Sequence, residues 1–154
     1  MNTLAERPSL TMKRRLKARP ATVWRAWTDP AQIMTWWGTK DAETLVAELD
    51  LRVGGRFHIG FLTPDGERHD VSGIYSEVVE NERLVFSWAW RTTPERESQV
   101  TITLKPEGDG TILTLHHAMF FDRKARDDHE GGWSEALDRL ERAVSPQGSA
   151  GEER

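Results

Sequence analysis

The chain has 154 residues, a net charge of −4, 37% hydrophobic and 30% charged side chains, and no cysteine. This length suits one domain, the composition is that of a soluble globular protein, and no apolar run approaches the roughly 20 residues that a membrane helix needs. The lack of cysteine excludes a disulfide framework, and the negative charge argues against a nucleic-acid partner, because that binding depends on phosphate neutralisation.

The N-terminal residues carry charges with no apolar core after them, which excludes a secretory signal. We therefore expect a cytoplasmic protein that contacts no membrane. Residues 1–8 and 146–154 are rich in small and polar side chains and are expected to be flexible tails. One domain is expected over residues 9–145.

The first elements are a strand near Ser9–Ala18 and a short helix over Pro20–Trp27, with proline in its first turn. A second helix follows, with Asp29 as its N-cap and Pro30 at its first position. We expect this helix to end at Trp37–Gly38.

From Glu43 onward the hydrophobic period changes from helical to alternating. Six strand-like runs follow, each ended by turn residues such as Pro64-Asp65-Gly66. They cover residues 43–53, 56–62, 68–79, 83–90, 97–105 and 111–120. Because the connections are short, the strands are expected to form an antiparallel meander.

The last predicted element is a long helix over about Arg123–Val144, with Asp122 as N-cap. One face carries an apolar stripe at helical spacing and the opposite face is charged. The helix must therefore lie on an apolar surface, and the sheet is the large one available. The fold class is α+β, with a curved antiparallel sheet of about seven strands around the C-terminal helix and two short helices after the first strand.

The inward faces of the strands carry large aromatic side chains, as the alternation in Leu84, Phe86, Trp88 and Trp90 shows. The facing helix carries Gly131 and Gly132, and each glycine costs about 1 kcal/mol in a helix relative to alanine. Large residues opposite small ones predict either a dry, interdigitated core or a pocket lining. Both alternatives stay open on the residues alone.

Ordered motifs along the chain resemble the family of homologues of the activator of heat-shock protein 90 ATPase. They are Ala-x-Val-Trp-x-Ala-Trp-Thr-Asp-Pro (21–30), Trp-Trp (36–37), Asp-Leu-Arg-Val-Gly-Gly-Arg-Phe (50–57), Gly-Ile-Tyr-Ser-Glu-Val-Val (73–79), Glu-Arg-Leu-Val-Phe-Ser-Trp (82–88), Thr-Ile-Leu-Thr-Leu-His-His (111–117) and Gly-Gly-Trp-x-x-Ala-Leu-x-x-Leu (131–140). This family belongs to the START-like, or SRPBCC, superfamily. The resemblance implies the helix-grip fold, with a deep hydrophobic cavity between the sheet and the long helix.

The predicted ligand-binding residues are those expected on the inward faces, together with the tryptophan pair at the sheet opening. They are Trp36, Trp37, Phe57, Ile59, Tyr75, Phe86, Trp88, Trp90, Leu115, His117, His129 and Trp133. One of Trp36 and Trp37 is expected to act as a gate or to form an exposed interaction patch. One of Trp24 and Trp27 is expected to close the end of the sheet.

The polar candidates each have a structural alternative. His117 points inward and could act as acid or base, or could simply be hydrogen-bonded in the core. Arg52 and Arg56 could hold an anionic ligand group, or form ion pairs with Asp50, Glu77 or a helix end. The five histidines show no spacing typical of a metal site, so no metal or other cofactor is expected.

Three functions follow from this sequence. The leading hypothesis is non-catalytic binding of a small hydrophobic molecule in the cavity. The second, implied by the resemblance, is a chaperone-interaction module that activates a heat-shock protein 90 type ATPase. The third is a cavity enzyme, a cyclase or hydrolase, that uses His117 or His129. The chain is expected to be a monomer or a homodimer.

Overall fold

Alternating apolar and polar side chains in the middle of the chain form a curved antiparallel sheet. The computed structural model describes residues 7–146. The bounds of its elements are β1 Leu10–Leu16, α1 Pro20–Thr28, α2 Pro30–Ile33, β2 Glu43–Leu49, β3 Arg56–Leu62, β4 Arg68–Val79, β5 Arg83–Trp90, β6 Ser98–Glu107, β7 Gly110–Ala118 and α3 Arg123–Val144. The tails predicted at 1–8 and 146–154 lie largely outside these residues.

The strand order is β1-β7-β6-β5-β4-β3-β2. Strands β2 to β6 each pair with the next strand in sequence, as the short turns predict. Strand β1 pairs with β7, from Leu10 opposite His117 to Leu16 opposite Thr111. The predicted α+β helix-grip architecture is confirmed.

Helix α3 lies against the concave face of the sheet. The Asp122 carboxylate accepts a hydrogen bond from the Ala125 N–H at 2.9 Å, which caps the helix where the sequence predicted. The buried side chains of α3 are Trp133, Ala136, Leu137 and Leu140. Of the two glycines, Gly131 is exposed and Gly132 is half-buried beside Thr39, so only Gly132 faces the sheet side.

Helix α2 is shorter than predicted, because it ends at Ile33 and not at Trp37. The Thr35 hydroxyl donates to the Gln32 carbonyl at 2.7 Å, and the Thr35 N–H donates to the same oxygen at 3.0 Å. Such local side-chain bonds compete with the regular helical pattern. The chain therefore continues in turns as far as Gly38, which has a positive φ of 94°.

The three-tryptophan cluster of Trp27, Trp36 and Trp37 fills one end of the concave face. Their ring centroids lie 4.7 to 6.4 Å apart with mostly edge-on geometry, and all three are buried. Within the described residues, none of the helices is long and apolar enough to cross a membrane.

Candidate functional site

A cavity of about 830 Å³ lies between the sheet and the first half of α3. It occupies the end of the concave face where β3, β5 and β7 finish, and Trp37 of the three-tryptophan cluster borders it. Seven large aromatic side chains contribute to its wall. They are Trp37, Phe61, Trp88, Trp90, Phe120, Phe121 and Trp133.

The orientation of two wall tryptophans is set by His129 on α3. Nε2 of His129 accepts hydrogen bonds from the indole N–H of Trp90 at 2.9 Å and from that of Trp88 at 3.3 Å. Nδ1 lies 2.7 Å from the Ala125 carbonyl, which can only accept, so the proton of the neutral ring sits on Nδ1. Burial lowers the pKa of His129, which keeps the ring neutral.

A third wall tryptophan is held by His117 on β7. Nδ1 of His117 accepts from the indole N–H of Trp133 at 3.0 Å, and Nε2 lies 2.7 Å from the Ser98 hydroxyl. Because the indole can only donate, Nδ1 must be unprotonated, and the proton of the neutral imidazole is on Nε2. His117 is completely buried, and burial, reinforced by the neighbouring His129, lowers its pKa well below the ordinary value.

This arrangement decides what the two histidines can do chemically. Ser98 lines the cavity and lies within reach of His117, as a serine nucleophile would. A general base, however, must accept the serine proton at Nε2, and Trp133 fixes the tautomer in which Nε2 already carries a proton. The lone pair of His129 is shared between two indoles. Neither ring presents a free basic nitrogen to a bound molecule, so the geometry favours positioning over catalysis.

The remaining predicted ligand-binding residues lie away from this cavity. Phe57, Ile59, Tyr75 and Phe86 surround a space of only about 10 Å³ at the filled end of the sheet. Burial raises the pKa of the Tyr75 hydroxyl. Leu115 is completely buried on β7. The structure therefore brings together Trp37, Trp88, Trp90, His129 and Trp133, with His117 directly behind them.

The prediction of an exposed patch at Trp36–Trp37 is wrong. Trp36 is completely buried and its indole N–H donates to the Ala26 carbonyl at 3.0 Å. Trp37 is 3% exposed, and its ring packs against those of Trp88 and Trp133 at 5.7 and 5.9 Å. Both side chains turn inward because the chain leaves α2 in tight turns, so Trp37 forms part of the cavity wall.

Sequence reasoning missed several lining residues. Phe61 shares the inward parity of Phe57 and Ile59 on β3, and that parity could have identified it. Phe120 closes the strand-like run predicted over 111–120, but β7 ends at Ala118, so Phe120 and Phe121 both come from the β7–α3 connection. Phe120 is buried with its ring 4.1 Å from that of His117, whereas Phe121 is half-exposed at the rim.

Two ion-paired groups flank the cavity. Asp70 accepts from Nε and Nη2 of Arg68 at 3.0 and 3.1 Å, and lies 2.8 Å from Nε2 of His58. The Arg68 guanidinium, with help from His58, lowers the pKa of the Asp70 carboxyl despite its burial. On α3, Lys124 pairs with Asp128 at 2.9 Å.

The polar residues predicted near Gly54 form structural contacts outside the cavity. Arg52 pairs with Asp50 at 3.0 Å, well exposed and outside the residues that line the cavity. Gly54 has a φ of 88°, as expected for a tight connection. Among residues 7–146, no group of three or more His, Asp or Glu is placed to hold a metal ion.

Comparison with known protein families identifies the family of this chain. The family model for "Activator of Hsp90 ATPase homolog 1-like protein" matches residues 17–145. None of the curated protein sequences resembles the chain closely enough to count as a relative.

Solved structures with the same fold include several bacterial proteins. A protein from Chromobacterium violaceum is 29% identical, with a TM-score of 0.82, over 90% of this chain and 99% of that one. An AHSA1 protein from Silicibacter pomeroyi is 26% identical, with a TM-score of 0.76, over 86% and 94%. CalU16 from Micromonospora echinospora is 32% identical, with a TM-score of 0.67, over 90% and 77%. This chain belongs to the family of Activator of Hsp90 ATPase homolog 1-like proteins, within the START-like superfamily.

Proposed function

We propose that this protein binds a small, flat, largely apolar molecule in the cavity beneath α3. The observation that carries the proposal is the aromatic wall around about 830 Å³ of space. This volume lies within the range of roughly 300–1,000 Å³ that is typical of small-molecule sites. Burial of apolar ligand surface would supply the binding free energy, at roughly 25 cal/mol per Å².

The hydrogen bonds of the wall explain why a flat apolar ligand fits best. The indole N–H groups of Trp88, Trp90 and Trp133 are all bonded to histidine nitrogens. These tryptophans are therefore fixed in orientation before any ligand arrives, and what they offer a ligand is ring surface. Fixed aromatic walls reduce the entropy lost on binding.

Titration with N-phenyl-1-naphthylamine, a neutral aromatic fluorophore, tests this function. Its fluorescence should rise on entering the cavity, with one site per chain. The chain provides a matched pair of variants, Gly132→Leu and Gly131→Leu. A Cβ at residue 132, which lines the cavity, would meet only Thr39 Cγ2 at 3.8 Å, and a Cβ at residue 131 would meet nothing within 4 Å.

A leucine at 132 should enter the cavity and abolish probe binding, whereas the same residue at 131 should leave binding intact. Both variants gain the same helix propensity, and urea unfolding of each variant shows whether it is folded under the conditions of the titration. Equal binding by the two variants, or no binding by the unaltered protein, would contradict the proposal. Stimulation of a chaperone ATPase by a protein that binds no probe would favour the chaperone-interaction hypothesis.

A further inference from the structure

The rim of the cavity carries more cations than carboxylates, although the whole chain is acidic. Among residues 7–146, four basic residues line the cavity, Arg68, Arg91, Arg96 and Lys124, against three acidic ones, Asp70, Asp122 and Asp128. The chain as a whole has a net charge of −4. The sign of the charge at the rim is thus opposite to that of the molecule.

All three rim carboxylates are already engaged within the protein. Asp70 binds Arg68, Asp128 binds Lys124, and Asp122 accepts the N-cap hydrogen bond from Ala125. These contacts neutralise two of the four cations. The two that remain are Arg91 and Arg96, and both belong to the connection between β5 and β6.

Arg91 and Arg96 are held at the rim by ordered backbone. The Arg91 N–H donates to the Asp70 carbonyl at 2.9 Å, and successive turns join Thr93 to Trp90 and Arg96 to Thr93. The Arg96 guanidinium carbon lies 3.9 Å from the centre of the half-exposed Phe121 ring, across the rim from its own loop. Within residues 7–146, its one carboxylate contact is an extended one to Glu95, at 4.0 Å.

The side chain of Arg91 is exposed and has no ion-pair partner within residues 7–146. Thr92 and Thr93 lie between the two arginines and also line the cavity. Their hydroxyl groups are likewise without hydrogen-bond partners in the described part of the chain. Two guanidinium groups with two hydroxyl donors between them match the acceptors of a carboxylate, which arginine binds in a planar, two-point manner.

We propose that the ligand carries a carboxylate, which Arg91 and Arg96 bind at the rim while the aromatic body lies between the tryptophans. This inference rests on the proposed function, since it names the chemical class of the molecule in the same cavity. The occupant is then an aromatic or polycyclic acid. The β5–β6 connection selects it against neutral molecules of the same shape.

Competition between matched compounds tests the inference. The assay measures how well each of two compounds displaces bound N-phenyl-1-naphthylamine. They are 2-naphthoate, an anion, and 2-naphthalenemethanol, its neutral counterpart of similar size. Naphthoate should compete about tenfold better than the alcohol, as expected for charge-assisted hydrogen bonds. In Arg91→Gln/Arg96→Gln this preference should disappear, because naphthoate loses its charge-assisted hydrogen bonds and then competes no better than the alcohol.

The control is Arg25→Gln/Arg142→Gln, which changes the net charge equally at two exposed arginines outside the cavity lining. It should retain the preference for naphthoate. The inference is overturned if both compounds compete equally in the unaltered protein, or if the control loses the preference as fully as the rim variant does. Failure of the neutral probe to bind at all would instead overturn the proposed function, so the two failures are distinguishable.

Discussion

Trp90 and His129 are joined by a hydrogen bond of 2.9 Å from the indole N–H to Nε2, between residues 39 apart in the sequence. Trp88 shares the same acceptor. The histidine is therefore an acceptor only in its neutral form. Protonation would place a hydrogen on Nε2 that faces the indole N–H groups of Trp88 and Trp90, and both hydrogen bonds would be lost.

The first prediction is that the fold loses stability in mild acid. Burial lowers the pKa of both His117 and His129, so below the ordinary histidine pKa of about 6.5 the unfolded chain binds more protons than the folded one. The two histidines should cause no change in the free energy of unfolding between about pH 7 and pH 8. It should fall as pH drops below 6.5, by up to about 1.4 kcal/mol per pH unit for each histidine.

Urea unfolding at pH 7.5, 6 and 5 measures this effect. The range stays above the carboxylate titrations, and the pKa of Asp70 is lowered further still, so its ion pair with Arg68 persists throughout. A free energy of unfolding that is flat from pH 7.5 to pH 5 would show that neither histidine is held neutral.

A second prediction separates the hydrogen-bonding role of His129 from its bulk. His129→Leu removes the acceptor and leaves the indole donors of Trp88 and Trp90 unpaired, at a cost of about 1–3 kcal/mol. His129→Gln supplies an amide oxygen that can accept from both indoles, and it does not titrate. It should be the more stable of the two variants and should weaken the pH dependence described above. If leucine and glutamine were equally tolerated, the hydrogen bonds would contribute nothing to stability.

The alternation in the strands predicted most of the fold but not the position of the cavity. Phe57 and Trp88 carry the same signal, a large aromatic on an inward strand face, yet Phe57 lies in dry core and Trp88 on the cavity wall. What distinguishes them is the packing of Trp27, Trp36 and Trp37, which fill one end of the sheet. That packing depends on how the chain turns after Ile33, and no periodicity encodes it.

Residue spacing also did not predict the hydrogen bonds and unpaired cations of the site. The bonds from Trp88 and Trp90 to His129 cross 41 and 39 residues, and the bond from Trp133 to His117 crosses 16. The excess of cations at the rim depends on which arginines find partners. Arg52, which lies close to two glycines in the sequence, pairs with Asp50. Arg91 and Arg96 are candidates for ligand binding because they line the cavity, which the sequence pattern does not locate.

A third prediction compares alanine substitutions at two glycines, one on α3 and one on β4. Gly131→Ala should stabilise the protein by about 1 kcal/mol, because its Cβ would meet nothing within 4 Å and alanine favours the helix. In Gly73→Ala the Cβ would lie 1.9 Å from the Ser87 carbonyl oxygen on the paired strand. Relief requires separation of β4 from β5, and we expect a loss of roughly 3 kcal/mol. Chemical denaturation of both variants measures the difference, and a Gly73→Ala protein as stable as the parent would refute the close approach.

The last prediction concerns Arg139 on α3, which positions the cavity wall through the backbone. Its Nη1 donates to the carbonyl oxygens of Trp37 and Thr39 at 2.9 and 3.0 Å, and the Lys40 N–H donates to Glu135 on the same helix at 2.8 Å. The segment that carries Trp37 is thereby tied to α3. Arg139→Met keeps the apolar stem but removes both bonds, so the ring of Trp37 should lose its fixed position against Trp88 and Trp133.

We expect Arg139→Met to weaken the binding of N-phenyl-1-naphthylamine by about five- to tenfold, at a cost in stability of about 1–2 kcal/mol. Arg142→Met, one turn further along the helix and exposed, makes the same chemical change away from the segment and should alter neither quantity. Quenching of tryptophan fluorescence by acrylamide gives an independent measure. Greater quenching in Arg139→Met than in Arg142→Met would show a loosened wall. Identical quenching and identical affinity would mean that Trp37 is held by ring packing alone.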